Sequence, residues 1–271
     1  MPLNGEPRAV VLSETESIKL LTCIRYDPCL LGESPFLGSW LWASLHAKRI
    51  DRSLASFNLQ PLRANALLDR LRQLESEQAS SAKCQKVVIE VSLDGEGTIS
   101  VPREVQVPPV AMQMLMPSSL NSLVGGPEWT IYINAIPSDI NLFSKYKTTK
   151  RDIYNAARQS VGIKGHESPP CEVLLWNHQS DITEGSITTP YFLRGEQYVT
   201  PALTCGGQDG VSRDYALSHN LCVEGIIDRR SLKHGEHLVL SNAVRGFWSA
   251  RIHVTEQRQL PPKEATAMES R

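Results

Sequence analysis

No apolar run of roughly 18 residues occurs in this sequence, so no segment has the length and hydropathy of a membrane-spanning helix. Neither sign of charge dominates: 28 Lys+Arg stand against 29 Asp+Glu in 271 residues. A protein that grips nucleic acid through phosphate contacts carries a basic surplus, and none is present, so no nucleic-acid partner is expected. The six cysteines, Cys23, Cys29, Cys84, Cys171, Cys205 and Cys222, are irregularly spaced and form no C-x-x-C pair. This argues against a disulfide framework and a redox motif and predicts reduced thiols in a cytoplasmic protein. The seven histidines are scattered, and His234 and His237 have no Cys or acidic partner at ligand spacing, so no metal site is predicted. Internal repeats and low-complexity tracts are absent. The opening MPLNGEPRAVVLSETES has neither a basic start nor an apolar stretch, and a secretory signal is not expected there.

What remains is the composition of a folded globular chain, with 41% hydrophobic and 21% charged residues. LLTCIRY at residues 20–26 is β-prone and ends at Asp27-Pro28. Leu41, Leu45, Ile50, Leu54 and Phe57 are spaced for a helix over 39–57. Pro61 is expected to open a second helix, striped by Leu62, Leu67, Leu68, Leu71 and Leu74. KVVIEVSL and GTISVPREV read as a hairpin turning at Asp94-Gly95. Residues 105–127 are rich in Pro, Ser, Asn and Gly, which sets a boundary near residue 120. Beyond it come a strand at WTIYINAI, a helix at TTKRDIYNAARQSVG stopped by Gly162, and a strand at EVLLW. ITEGSITTPYFL and QYVT form a hairpin around Gly195, and a helix follows at VSRDYALSHNL. Strands at VEGIID and HLVLSNAV follow, and the tail after Thr255 is polar. The predicted fold class is α/β (α+β), in two domains. A small N-terminal α/β domain spans 1–120, and a larger, β-rich C-terminal domain spans 121–271.

Four segments could carry chemistry. SKYKTTKR at 144–151 sets Lys145, Lys147 and Lys150 before a helix, where the dipole disfavours positive charge. Glu184, beside Gly185 in an otherwise uncharged β-prone stretch, is either an exposed strand residue or a buried carboxylate with a cationic partner; spacing alone favours exposure. Gly206, Gly207 and Gly210 precede a helix that starts Val211-Ser212. That is a plain loop and cap, or an anion site built on free amides and the dipole. Ser241-Asn242 ends a strand and reads alone as a turn.

Taken in order, these segments resemble the class IV aminotransferases and their lyase relatives, the fold-type IV pyridoxal-phosphate enzymes. A Lys before a helix, Glu-Gly-Ser in a strand, Gly-Val-Ser-Arg opening a helix, and Ser-Asn follow one another as in that family. Upstream, His46-Ala-Lys-Arg49-Ile-Asp-Arg-Ser53 is similar to its His-x-x-Arg-Leu-x-x-Ser helix. LLTCIRYDP, YKTTKRDIYNAAR, EVLLWN, ITEGSIT, CVEGII and LSNAVRGFWSA look most like the fungal-type 4-amino-4-deoxychorismate lyases. The similarity runs over about residues 18–252.

The resemblance implies pyridoxal 5′-phosphate (PLP) as cofactor and a role for each matching residue. Lys147, which has Arg151 four residues on, falls on the family's cofactor-bound lysine and catalytic base. Glu184 falls on the carboxylate that pairs with the pyridine nitrogen. Arg49 falls on the phosphate-binding arginine, Val211 and Ser212 on the helix start that receives the phosphate, and Ser241 and Asn242 on a second phosphate loop. Arg25 and residues 34–40 are candidates for a substrate carboxylate site, although Arg25 is equally a strand-end surface charge. Thr189 stands where the family motif has Asn, and Tyr146 where the branch usually has His. The expected activity is cleavage of 4-amino-4-deoxychorismate to 4-aminobenzoate and pyruvate. The alternatives are a class IV transaminase acting on a branched-chain or D-amino acid or an amine, and a non-catalytic protein of the same fold. The expected partners are a small amino substrate and a second copy in a homodimer.

Overall fold

The computed structural model describes residues 18–30, 38–77, 83–125, 128–164 and 170–254. Strand β1 (Lys19–Tyr26) buries Leu20, Thr22 and Ile24 on one face, as the period of two requires. Helix α1 (Ala43–Ser56) starts later than its apolar spacing predicts, because the preceding residues are tied elsewhere. Trp40 bridges to Tyr26, and Trp42 takes a left-handed conformation with φ 55°. Helix α2 (Ala66–Glu77) buries Leu67, Leu71 and Leu74. Each such leucine contributes about 2 kcal/mol, more than any propensity difference along the helix, so burial sets its face. Pro61 does not open this helix as expected. Asn65, at φ 64°, interrupts the backbone just before Ala66, and Leu62 packs under Gly97 instead.

Strands β2 (Gln85–Ser92) and β3 (Ile99–Gln106) form the predicted hairpin, and the Asp94 carboxylate accepts from the Ser92 hydroxyl and the Glu96 amide in its turn. With β1 they make a three-stranded antiparallel sheet in the order β1-β2-β3. Its core joins Ile24, Trp40, Leu54, Leu71 and Ile89.

The short helix α3 (Met112–Leu115) leads to β4 (Trp129–Ile133), then α4 (Leu142–Lys145) and α5 (Asp152–Ser160). Helix α5 is shorter than TTKRDIYNAARQSVG suggests, since residues 147–149 are extended along β1. Leu21 donates its amide to the Lys147 carbonyl at 2.7 Å, and Thr149 donates to the Lys19 carbonyl at 2.9 Å. Gly162, at φ 77°, follows the end of α5.

Strands β5 (Cys171–Trp176), β6 (Ile182–Gly185), β7 (Thr189–Arg194) and β8 (Gln197–Pro201) precede α6 (Val211–Ser218). Strands β9 (Val223–Gly225), β10 (His237–Asn242) and β11 (Gly246–Ile252) complete the chain's described part. Together β4 to β11 form an eight-stranded sheet in the order β6-β5-β4-β11-β10-β7-β8-β9. Its two edges meet: Ile182 donates to the Ile227 carbonyl at 2.8 Å, and Asp181 bridges to Asp228, so the sheet curls toward closure. The stretch ITEGSITTPYFL is therefore two strands, not one arm of a hairpin. It breaks at Ser186–Thr188, and β6 and β7 enter the sheet at different positions. The hairpin around Gly195 is β7–β8. Strand β11, beyond the turn at 243–245, is an element that the sequence reading leaves unassigned. No helix among the described residues is long and apolar enough to cross a membrane.

Arg25 is neither a surface charge nor open to a ligand. It is fully buried and paired with the buried Asp27 at 2.7 Å. Its remaining N–H groups donate to the carbonyls of Pro108 and Val244, so it ties β1 to the β10–β11 turn. Of the neighbouring stretch 34–40, residues 34–37 lie outside the described residues, and Ser39 and Trp40 are buried. Removing one member of a buried ion pair strands the other in a low-dielectric interior. Arg25→Ala is therefore expected to lower unfolding free energy by about 3–5 kcal/mol, read from urea denaturation midpoints. A loss below about 1 kcal/mol would contradict this burial.

Candidate active site

Helix α1 forms one wall of an open cleft of about 230 Å³. The α4–α5 turn and the loop before α6 form the other, and the lining includes Arg49, Arg52, Tyr146, Lys147, Gln208 and Asp209. The three candidate lysines differ in exposure, although Lys145 and Lys147 both line the cleft. Lys145 and Lys150 are exposed, and Lys150 lies over the Phe143 ring. Lys147 faces the cleft. Burial holds its amine well below the usual lysine range, Arg151 and Arg49 push the same way, and Cys23 and Glu184 oppose them.

Glu184 on β6 lies near enough to Lys147 to interact electrostatically and is half-buried, not exposed as spacing alone suggested. Burial raises its pKa, while the Tyr154 hydroxyl, Lys147, the Gln208 amide and Arg151 pull it back. Tyr154 donates to Glu184 Oε1 at 2.7 Å. The loop carrying Gln208 comes this close because residue 207 is glycine: a Cβ there would lie 2.4 Å from the Thr183 carbonyl oxygen.

Arg49 projects from α1 into the same cleft and is buried. One of its N–H groups donates to the Thr22 hydroxyl. The same hydroxyl shares a hydrogen bond with His46 Nδ1, 2.6 Å away. Burial, aided by Arg49 and Lys147, keeps His46 uncharged. Thr22 and His46 thus hold Arg49 from behind without adding a competing charge. Arg52, one turn along α1, pairs with Asp209 at 2.8 Å and Asp214 at 3.4 Å.

Helix α6 begins at Gly210 without a side-chain cap, so the first-turn amides of Val211 and Ser212 retain their capacity to bind an anion. Ser241, at the end of β10, is fully buried and donates its hydroxyl to Ser212 Oγ at 2.7 Å; Tyr191 supports it at 2.8 Å. Thr189 lies opposite Ser241 on β7, and its hydroxyl abuts Gly210. Asn242 is turned toward its own loop, where its Oδ1 accepts from the amides of Val244 and Arg245. The fold thus brings Lys147 and Arg49 to one cleft with Glu184 within electrostatic reach of the lysine, and sets Val211, Ser212 and Ser241 at a helix start, while the Asn242 side chain builds a turn. Tyr146, lining the cleft, shares a 2.6 Å hydrogen bond with Ser56 of α1.

Residues the sequence reading passed over include Tyr154, Gln208 and Glu172. Glu172 is fully buried on β5 and accepts from the amides of Ser186 and Ile187 and the hydroxyls of Ser186 and Thr188, fixing the turn that separates β6 from β7. Arg151 stacks over Tyr154 three residues on and donates to the Ser186 carbonyl at 2.8 Å. That i, i+3 spacing was the one signal in the sequence for Tyr154.

The model of the family described as "Amino-transferase class IV" matches residues 36–252 of this chain, which is most of its length. The chain belongs to the class IV aminotransferase family, a family of enzymes. Aminodeoxychorismate lyase of Saccharomyces cerevisiae is 33% identical over 132 residues, which cover 44% of this chain and 35% of that protein. A provisionally named aminodeoxychorismate lyase of Schizosaccharomyces pombe is 34% identical over 112 residues, covering 40% of this chain and 46% of that protein. The match thus spans between a third and a half of the length of these curated relatives. Among solved structures, a provisionally named amino-acid aminotransferase from Mesorhizobium loti aligns with TM-score 0.67 and 21% identity, covering 88% of this chain and all of that one. A hypothetical aminotransferase from Mycobacterium tuberculosis in its PLP-bound form aligns with TM-score 0.61 and 15% identity, covering 95% and 88%. At these identities the two structures establish the class IV fold for this chain.

A lysine whose folded pKa is depressed costs the folded state free energy below that value, and the cost vanishes as pH rises past the ordinary lysine range. Lys147→Met should therefore raise the Tm of the cofactor-free protein near neutral pH, with a gain that shrinks toward pH 10. A lower Tm in the variant would contradict the strained amine.

Proposed function

We propose that this chain binds PLP and uses it to cleave 4-amino-4-deoxychorismate to 4-aminobenzoate and pyruvate. The observation that carries the proposal is the pairing of Lys147 and Glu184: an amine kept from full protonation at an open cleft, with a half-buried carboxylate near enough to interact with it, beside the uncapped start of α6. The donor set fits the cofactor. Arg49, the α6 amides of Val211 and Ser212, and the Ser212 hydroxyl, backed by Ser241, match a phosphate. Lys147 matches an aldehyde, and Glu184 a protonated ring nitrogen. When bound, PLP supplies an electron sink that makes a proton on the substrate's amine-bearing carbon removable.

The chain's own residues then have definite tasks. Lys147, as a neutral amine, takes that proton and is poised to return it. Glu184 serves in its ionised form, which Tyr154, Lys147 and Arg151 favour against burial. Arg49, held from behind by Thr22, fixes the anionic end. In the lyase reaction, loss of the proton expels the neighbouring enol ether as pyruvate, and the carbocycle becomes aromatic. The lyase reading is favoured by the likeness to the yeast lyase. A class IV transaminase shares every residue above, and the fold shared with aminotransferases favours it as the second reading. A cytoplasmic homodimer belongs to the same proposal; its support is the family resemblance together with six free thiols, most of them buried.

The test supplies the PLP-loaded protein with 4-amino-4-deoxychorismate and no oxo acid. Equal amounts of 4-aminobenzoate and pyruvate are expected. Lys147→Ala should abolish turnover, and Glu184→Gln should lower kcat by about a hundredfold. Turnover that depends on a 2-oxo acid acceptor would replace the lyase with the transaminase.

A further inference from the structure

Behind Glu184 lies a buried tyrosine that none of the roles above uses. Tyr154 projects from α5 and is only 2% exposed. Its hydroxyl sits among three partners from three other elements. Gln208 Nε2, on the loop before α6, donates to it at 2.7 Å. Glu184 Oε1 on β6 lies at 2.7 Å, and the Ser144 carbonyl on α4 at 3.0 Å. The hydroxyl has a single proton, and Gln208 already fills one of its acceptor positions. That proton goes either to Glu184 or to Ser144.

We infer that Tyr154 is a positioning residue that fixes the charge state of Glu184 by directing this one proton. With Glu184 ionised, Tyr154 donates to the carboxylate and holds it as an acceptor toward the cleft. With Glu184 protonated, the acid proton points to the hydroxyl oxygen, and the tyrosine proton turns to the Ser144 carbonyl. Each arrangement uses the single tyrosine proton once, and switching between them requires no heavy atom to move. The cost of burying a carboxylate at this position is thereby offset without an arginine in direct contact, which would lock the charge permanently. The alternative acceptor, Ser144, lies three residues before Lys147, and Gln208 lies two before Gly210. The acid is thus tied through one hydroxyl to both the lysine-bearing turn and the anion-binding helix start.

The other groups facing Glu184 are Lys147 and Arg151, together with the Gln208 backbone amide. All three favour its ionised form and remain in place when only the hydroxyl is removed. Tyrosine donation acts in the same direction, against burial. Loss of the hydroxyl should therefore move the titration of Glu184 upward.

The inference deepens the proposed function and rests on Glu184 being the acid of that site, yet it can be read without cofactor. In the apoprotein, carboxyl carbon-13 NMR follows Glu184, assigned by its loss in Glu184→Gln. Tyr154→Phe should raise the Glu184 midpoint. Site-specific replacement of Tyr154 by 3-fluorotyrosine, nearly isosteric and a stronger donor, should lower it, which also covers the case in which the phenylalanine variant fails to fold. An unchanged midpoint in the fluorotyrosine protein, or a midpoint unchanged or lowered in Tyr154→Phe, would overturn the inference. In the PLP-loaded protein, the midpoint of the visible absorption band should shift in step with Glu184. If the NMR shifts appear and no such band forms, the proposed function fails while the role of Tyr154 stands.

Discussion

An amine held out of water beside two guanidinium groups is the costly feature around which this molecule is arranged. The role we propose for Lys147 requires it to be accessible, unprotonated and fixed in direction at once, and an exposed lysine is neither of the last two. The fold meets the requirement by pinning the backbone of residues 147–149 against β1, so that the side chain leaves a segment held by hydrogen bonds. Arg49 and Arg151 add repulsion that favours the neutral amine, and Glu184 opposes them with a single negative charge. The same two cations serve a second purpose, because they make the cleft attractive to an anion.

Several long-range contacts exist to keep that arrangement in register. The β6–β7 break sends Glu184 into one edge of the curled sheet and Thr189 into its middle. Buried Glu172 holds the intervening turn by accepting from its amides and hydroxyls. Gly207 allows backbone to press on backbone, which brings Gln208 within reach of the acid. Arg25 joins β1 to the β10–β11 turn, so the wall bearing Thr22 and Arg49 cannot shift freely relative to the loop of Ser241. These are structural residues by location, yet each acts on the direction of one functional group.

Much of this was legible in the chain itself. The strands and helices follow from periodicity, and the order of lysine, acid, glycine-flanked helix start and Ser-Asn loop carries the family likeness. The errors have a common origin. Glu184 read as exposed because its partners, Tyr154 and Gln208, are distant in sequence. Arg25 read as ligand or surface because Asp27, Pro108 and Val244 converge on it only in three dimensions. Pro61 is an admissible first helical residue, but Leu62 found a better burial site beneath the hairpin turn. Asn242 matches a phosphate loop by position, and its side chain closes the turn after β10. Local rules decide which elements form; the pairing of polar groups across elements decides which of them act, and a single sequence does not encode that pairing in any local signal.

The central claim is that one amine, at residue 147, reacts with the cofactor aldehyde while the neighbouring lysines stay free. Borohydride reduction of the protein mixed with pyridoxal 5′-phosphate, followed by proteolysis and mass spectrometry of the peptides, tests this directly. The account predicts a single phosphopyridoxyl group, on Lys147, with Lys145 and Lys150 unmodified. Labelling of Lys145 or Lys150 in preference, or no stoichiometric labelling at saturating cofactor, would contradict it.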